Sequence, residues 1–208
     1  MLTVTKIPVG PFVMNCYIIF NIENNNTVVI DPGDEIEKIK NYIEDNNLKV
    51  QAVLNTHGHI DHAGKVAKFL GYFKVDYLIH KEDIFWLDRL EEQSRVFGLE
   101  FVGKPQPTKF LNDGDILDYF LGETIKVIHT PGHTPGSTSF LIGKELFTGD
   151  TLFKGTIGRT DFPKSDYGQL ISSIKQKLFK LPPETIVHPG HQEDTTIKRE
   201  MTTNPFLI

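Results

Sequence analysis

At 208 residues the chain has room for one sizeable hydrophobic core and too little for two ordinary ones, so residues 1–208 are expected to form a single domain. With 39% hydrophobic and 24% charged residues it reads as a folded globular protein, which excludes a disordered one. A net charge of −5 and the lack of any Lys/Arg-rich run argue against a nucleic-acid partner.

The longest apolar stretch, around Tyr17–Phe20, is far too short to span a bilayer, so no membrane association is expected. Met1–Gly10 shows no basic segment followed by an apolar one, and a cytoplasmic location is the expectation. Cys16 is the only cysteine, which leaves no internal disulfide and no thiolate metal cluster.

Along the chain, Tyr17–Phe20 and Thr27–Ile30 are β-branched or aromatic runs joined by the turn-prone Asn24-Asn25-Asn26, and they predict a hairpin. Asp31-Pro32-Gly33-Asp34 breaks the strand. Glu35–Asn46 then carries Ile36, Ile39 and Ile43 at helical spacing. Val50–Asn55 reads as a buried strand, His62–Leu70 as a helix, Tyr77–Ile79 as a strand and Glu82–Gln93 as an amphipathic helix. Ser94–Leu111 has no clear period and reads as a long loop, whose Phe97, Phe101 and Phe110 are candidates to cover a substrate. Thr124–Ile128, Thr138–Leu141, Glu145–Thr148 and Thr185–Val187 predict strands. Leu170–Leu181 predicts a helix stopped by Pro182-Pro183. Strand meanders alternating with helices imply two sheets sandwiched between helices.

The strongest local signal is Thr56-His57-Gly58-His59-Ile60-Asp61-His62, directly after an apolar strand. His57, His59 and Asp61 alternate, so an extended segment presents all three on one side. Imidazole nitrogen and carboxylate oxygen are donors that zinc, iron and manganese accept. Further donors follow apolar runs at Gly132-His133, Gly149-Asp150 and Gly190-His191, the strand-end positions where open α/β sheets place their sites. His80, His129 and His188 lie inside or beside predicted elements and are expected to stay outside the cluster. Asp31 and Thr56 are candidates to orient the imidazoles.

In order and spacing, His57-Gly-His59-Ile-Asp61-His62, His133, Asp150 and His191 resemble the metallo-β-lactamase superfamily, and more narrowly the short bacterial glyoxalase II-like hydrolases. Asn15-Cys16-Tyr17, Asp31-Pro32-Gly33, Gly149-Asp150-Thr151-Leu152-Phe153, Gly158-Arg159-Thr160-Asp161 and Asn204-Pro205-Phe206-Leu207 extend the resemblance nearly end to end.

It implies an α+β fold, an αββα sandwich of two mixed β-sheets flanked by helices. It implies that His57, His59 and His133 hold one divalent ion, that Asp61, His62 and His191 hold another, and that Asp150 bridges them. Zinc is expected first, with iron or manganese accepted. The implied reaction is attack of a metal-bound hydroxide on the carbonyl of a small-molecule thioester such as an S-2-hydroxyacylglutathione, with Asp61 the catalytic carboxylate beside it.

Arg159 stands where related enzymes hold a glutathione carboxylate, and an ion pair with Asp161 is its competing role. The pattern is broken where aromatic residues give way to Asp161 and Glu193 and where Gln192 replaces a glycine; these departures count against tight glutathione recognition. So does the early end of the chain after His191, where a glutathione-gripping helical domain would follow. The alternative implied by the same family is a mononuclear-iron persulfide dioxygenase, since His57, His133 and Asp150 also make a two-histidine, one-carboxylate set.

Overall fold

Successive residues of the central strands face different cores, because side chains alternate across a sheet that is covered on both faces. In the computed structural model, which describes residues 1–208, Cys16 and Ile18 of strand β2 pack toward helices, while Tyr17 and Ile19 pack toward a second sheet. Val29, Val53, Tyr77 and Ile79 repeat the outward choice; Val28, Ile30, Leu54 and Leu78 repeat the inward one.

The first half of the chain lays down β1 (Leu2–Val9), β2 (Met14–Asn21), β3 (Asn26–Ile30), β4 (Lys49–Leu54), β5 (Asp76–His80) and β6 (Lys109–Leu111), hydrogen-bonded in that order. The first three strands are antiparallel and the remainder join in parallel. Helices α1 (Ile36–Asp45), α2 (Ile60–Ala63), α3 (Val66–Tyr72), α4 (Ile84–Leu87) and α5 (Leu90–Phe97) provide the connections.

The second half builds β7 (Ile116–Leu117), β8 (Ile125–His129), β9 (Thr138–Ile142), β10 (Glu145–Gly149), the small hairpin β11 (Leu152–Phe153) and β12 (Thr156–Ile157), α6 (Tyr167–Gln176), β13 (Ile186–Pro189), β14 (Thr195–Thr196) and α7 (Ile197–Thr203). Its sheet has the order β14-β13-β10-β9-β8-β7, with only β10 and β13 parallel. Leu170, Ile174 and Leu178 join Leu146 and Val187 in an outer core on this side. Between the sheets, Tyr17 meets Phe147 edge-on with ring centres 5.1 Å apart. The layers are therefore helices, sheet, sheet, helices, as the resemblance implied. Truncating a fully buried inter-sheet ring such as Phe140 to Ala is worth about 3–5 kcal/mol.

Several elements depart from the sequence reading, each for a local reason. β1 is an edge strand with no clean apolar face, since Thr3 and Thr5 share the side of Ile7 and Val9 while Lys6 lies on the side of Val4, and its Pro8 is tolerated because only one neighbour needs its backbone. The helix expected over Glu82–Gln93 is a 3-10 turn at Lys81–Asp83 followed by α4 and α5, and α5 runs on to Phe97, four residues into the expected loop. The helix expected over Leu170–Leu181 starts earlier, at Tyr167, because the Asp166 carboxylate caps it by accepting from the Gln169 N–H at 2.8 Å, and it gives way to a 3-10 turn at Leu178. The helix expected from His62 is broken into α2 and α3. The C-terminal helix α7 has no counterpart in the sequence reading.

Candidate metal centre

Four strand ends from both sheets deliver the donor side chains to one place. β4 leads into His57–His62, β8 into His133, β10 ends at the residue before Asp150, and β13 ends two residues before His191. His57, His59 and His133 offer nitrogens within 4.8 Å of one another, Asp61, His62 and His191 offer a carboxylate oxygen and two nitrogens as close together, and a third set of His57, His62 and Asp150 joins the two. The alternation of His57, His59 and Asp61 does not hold as an extended strand, because Asp61 and His62 lie on the single helical turn of α2. That turn swings Asp61 away from His59 and toward His191, whose Nε2 lies 3.2 Å from Asp61 Oδ2.

Asp150 lies across both groups. Its Oδ1 is 3.3 Å from His62 Nε2, while its Oδ2 is 3.6 Å from His133 Nε2 and 3.7 Å from His191 Nε2.

Most of the imidazoles are held by hydrogen bonds through the nitrogen that faces away from the centre. His62 Nδ1 donates to Asp31 Oδ2 at 2.9 Å. The Thr56 hydroxyl donates to the same oxygen at 2.6 Å and accepts from His57 Nδ1 at 3.1 Å. His133 Nδ1 donates to the Arg159 carbonyl at 2.7 Å, and His191 Nδ1 to the Phe12 carbonyl at 3.1 Å. In a neutral imidazole each such bond makes Nε2 the unprotonated nitrogen, turned inward.

Inside, His57 Nε2, His62 Nε2 and Asp150 Oδ1 are buried without a hydrogen-bond partner, and His59 Nδ1 faces His133 Nε2 at 3.0 Å. Buried unpaired acceptors that converge are costly, and a divalent cation offsets that cost. The residues fit such an ion, and the nitrogen and carboxylate donors suit zinc, iron or manganese.

The two groups differ electrostatically. Burial, reinforced by the neighbouring imidazoles, keeps His57 neutral and pushes His59 down to about 3. Burial acts the same way on His133, against the pull of Asp150. His62 is buried as deeply, yet Asp61, Asp150 and Asp31 around it hold its pKa well above the usual histidine range. His191 is likewise raised against its burial by the bond to Asp61 and by Asp150.

The sequence profile of the Metallo-beta-lactamase superfamily matches residues 9–191, the stretch that carries every one of these donors. The chain belongs to the metallo-β-lactamase superfamily. It is 42% identical over 205 residues to the hydroxyacylglutathione hydrolase GloC of Haemophilus influenzae, covering 97% of this chain and 96% of that one. Its fold superposes on BLEG-1, a B3 metallo-β-lactamase, with a TM-score of 0.91 at 36% identity, covering 99% of both chains. It matches TTHA1623, solved in a di-iron-bound form, with a TM-score of 0.90 at 38% identity over 98% of this chain and 100% of that one. A divalent-metal site and a metallo-hydrolase of this superfamily follow.

A superfamily centre needs its loops held as well as its donors, and here sequence reasoning missed Asp83. Its fully buried carboxylate accepts from Gly58 N–H at 2.8 Å, between His57 and His59, and from the Thr134 hydroxyl at 2.8 Å and Gly136 N–H at 2.7 Å, just after His133. Burial pushes its pKa up to about 6 against these three donors, so it stays ionised at neutral pH. An acid at the start of an expected helix reads as a cap, so its inward turn carried no sequence signal. Gly58 is required here for space rather than for a turn: a Cβ would lie 2.8 Å from Trp86 Cβ and 2.9 Å from the Asp83 carbonyl. Gly33 is stricter still, since its Cβ would lie 1.6 Å from the Asp61 carbonyl. Asp31 proves the better-read partner, accepting from Asn55, Thr56 and His62.

The remaining histidines stay apart. His80 and His129 stack at 4.0 Å, with His129 Nε2 donating to the Pro135 carbonyl, and His188 donates to Glu145 at 2.7 Å. Arg159 is exposed and its fork is taken by Asp161 through bonds of 3.0 and 2.7 Å.

A cleft of about 740 Å³ opens over the centre, walled by Phe12, Trp86, Phe97, Phe153 and Phe162. Phe97 takes part from the end of α5, edge-on to Phe12 at 5.3 Å. Phe101 and Phe110 do not line the cleft, so of the three only Phe97 fills the covering role expected of that segment. Phe162, one residue after Asp161, sets its ring 4.9 Å from His59 and supplies an aromatic beside the acid that broke the family pattern.

Proposed function

We propose that the chain hydrolyses thioesters of small thiols, of the S-2-hydroxyacylglutathione kind, at a two-metal centre held by His57, His59 and His133 on one side and Asp61, His62 and His191 on the other, with Asp150 shared. The observation that carries the reading is Asp150, whose carboxylate stands between the two groups, with His62 and His191 of one and His133 of the other each within 3.7 Å of one of its oxygens. The name borne by the Haemophilus influenzae relative supports a hydroxyacylglutathione substrate. Zinc is the first expectation for the ions, and the di-iron form of TTHA1623 supports iron as well.

Two divalent ions bound here supply Lewis acidity and a water whose pKa falls to about 7. The chain's own groups do the remaining work. The bonds from Asp31, Thr56, Phe12 O and Arg159 O fix the imidazole orientations, so that no reorganisation is needed during reaction. Asp61 lies on the boundary between the centre and the cleft and is the carboxylate placed to hold a water proton beside the reacting carbonyl. Phe12, Phe97, Trp86 and Phe162 keep bulk water from the cleft floor. A thiolate departs with little need of protonation, which suits a cleft with no acid reserved for the leaving group. A small-molecule thioester as partner and a cytoplasmic setting belong to this same reading.

The deciding test is anaerobic hydrolysis of S-lactoylglutathione by purified protein of known metal content. Oxygen-independent loss of the thioester with two ions per chain is the expected result. Oxygen uptake on a glutathione persulfide at one iron per chain, with no hydrolysis, would replace the reading with the mononuclear-iron alternative.

A further inference from the structure

The turn that carries Asp61 and His62 cannot satisfy its own first N–H. Helix α2 has four residues, and its N-cap His59 makes no side-chain capping bond, since the His59 ring belongs to the centre, where Nδ1 faces His133 Nε2 at 3.0 Å. The N–H groups of His62 and Ala63 both reach the His59 carbonyl. The Ile60 N–H opens the turn and has no acceptor within it.

Gln93 of α5 supplies that acceptor from the cleft wall. Its Oε1 takes the Ile60 N–H at 3.0 Å, and its Nε2 donates to the Trp86 carbonyl at 3.0 Å. The amide faces only one way, because a backbone N–H needs its oxygen and a backbone carbonyl its nitrogen. Both bonds are buried, where a polar group left alone is costly. At the other end of the turn Asn55 Nδ2 donates to the His62 carbonyl at 2.8 Å. Pinned at both ends, the turn keeps Asp61 swung toward His191.

The arrangement has a counterpart across the centre. Asp83 takes the Gly58 N–H, between His57 and His59, and Gln93 takes the Ile60 N–H, between His59 and Asp61. We propose that Gln93 is a positioning residue for Asp61: its bond to the Ile60 N–H keeps the α2 turn formed before any ion binds, so that the Asp61–His62–His191 donors meet a cation already in place. A single helical turn does not hold itself. Without Gln93 the ion has to order the turn as it binds, and its apparent affinity falls by the fraction of chains in which the turn is formed. The ion on this side rests on the two-metal reading above; the hold of Gln93 on the turn does not.

Two variants separate the two bonds of the amide. Gln93→Met keeps the length of the side chain and removes both bonds, whereas Gln93→Glu keeps the acceptor for Ile60 and gives up the donor to Trp86 when ionised. The first readout is residue-resolved amide hydrogen exchange in chelator-stripped protein. Gln93→Met is expected to speed exchange at Ile60 about tenfold, with Gly58 unchanged and Gln93→Glu restoring the protection. The second is calorimetric zinc binding in two backgrounds, His133→Ala, which leaves the Asp61–His62–His191 donors whole, and Asp61→Ala, which leaves His57, His59 and His133. Gln93→Met should weaken zinc about tenfold in the first and by less than about twofold in the second.

Unchanged Ile60 exchange in Gln93→Met overturns the proposal. So does faster exchange with unchanged zinc affinity in the His133→Ala background, which would make the bond structural only, or an equal loss in both backgrounds. Gln93→Glu behaving as Gln93→Met overturns it as well, by assigning the effect to the Trp86 bond. A wild type that takes up one zinc, with the Gln93-dependent protection of Ile60 intact, overturns the two-metal reading and supports the hold on the turn.

Discussion

The two sides of the centre share one loop, His57–His62, and differ in what surrounds them. The His57–His59–His133 side is buried among imidazoles and neutral, ready to donate lone pairs without losing a proton. The Asp61–His62–His191 side is set among carboxylates that raise the pKa of both histidines, His62 well above the usual range. Sequence spacing treats these donors alike; the difference comes from Asp31, Asp61 and Asp150, which three separate segments bring around His62. The neutral side is therefore expected to bind an ion by preorganisation and the charged side by exchange of a proton for one.

The strongest way to break the comparison is to remove the charged side. Asp61→Ala or His62→Ala is expected to leave one ion per chain by elemental analysis and to abolish thioester hydrolysis. Near-normal hydrolysis in either variant would rule out the two-metal mechanism.

Removing the clamp under the neutral side comes next. Asp83→Ala leaves the Gly58 and Gly136 N–H groups and the Thr134 hydroxyl without their acceptor, at a cost of about 1–3 kcal/mol in chemical denaturation. On dialysis the ion of the His57–His59–His133 side should then be lost earlier than it is in the wild type. An unchanged time of loss would show that Asp83 serves stability alone.

The pH dependence sharpens the same contrast. In chelator-stripped protein His62 has a raised pKa and must give up its proton before its nitrogen can bind an ion. Affinity on that side therefore rises with pH up to the raised value and falls on acidification below it. The neutral side, with its pKa values lowered, should bind with little change between about pH 6 and 8. Calorimetry in buffers of different ionisation enthalpy reads the protons released, and equal release by the two ions would remove the distinction.

The smallest effect is expected at Arg159. With its fork engaged by Asp161 and its carbonyl serving His133, Arg159→Ala should leave KM for carboxylate-bearing thioesters within about twofold. A large rise in KM would return Arg159 to the substrate.

How much was legible follows the range of the interactions. The predicted hairpin of β2 and β3 forms with Tyr17 opposite Ile30, and Ile36, Ile39 and Ile43 bury one face of α1, because period and turn chemistry act over a few residues. β1 and α7 went unread: the first is an edge strand with a half-polar pattern, and the second is fixed by contacts at a distance, where Glu200 accepts from Gly155 N–H and Thr195.

By itself the sequence determined the donor inventory, its order and the family, since four Gly-containing strand ends bearing His or Asp belong to chain-local pattern. Only the tertiary structure decided that Asp61 turns away from His59 on one turn of helix, that the buried Asp83 ties the two histidine loops, and that Gln93 accepts the first N–H of the Asp61 turn. Each of those depends on which residues from remote segments share a burial site or compete for a charge, and no local spacing encodes that.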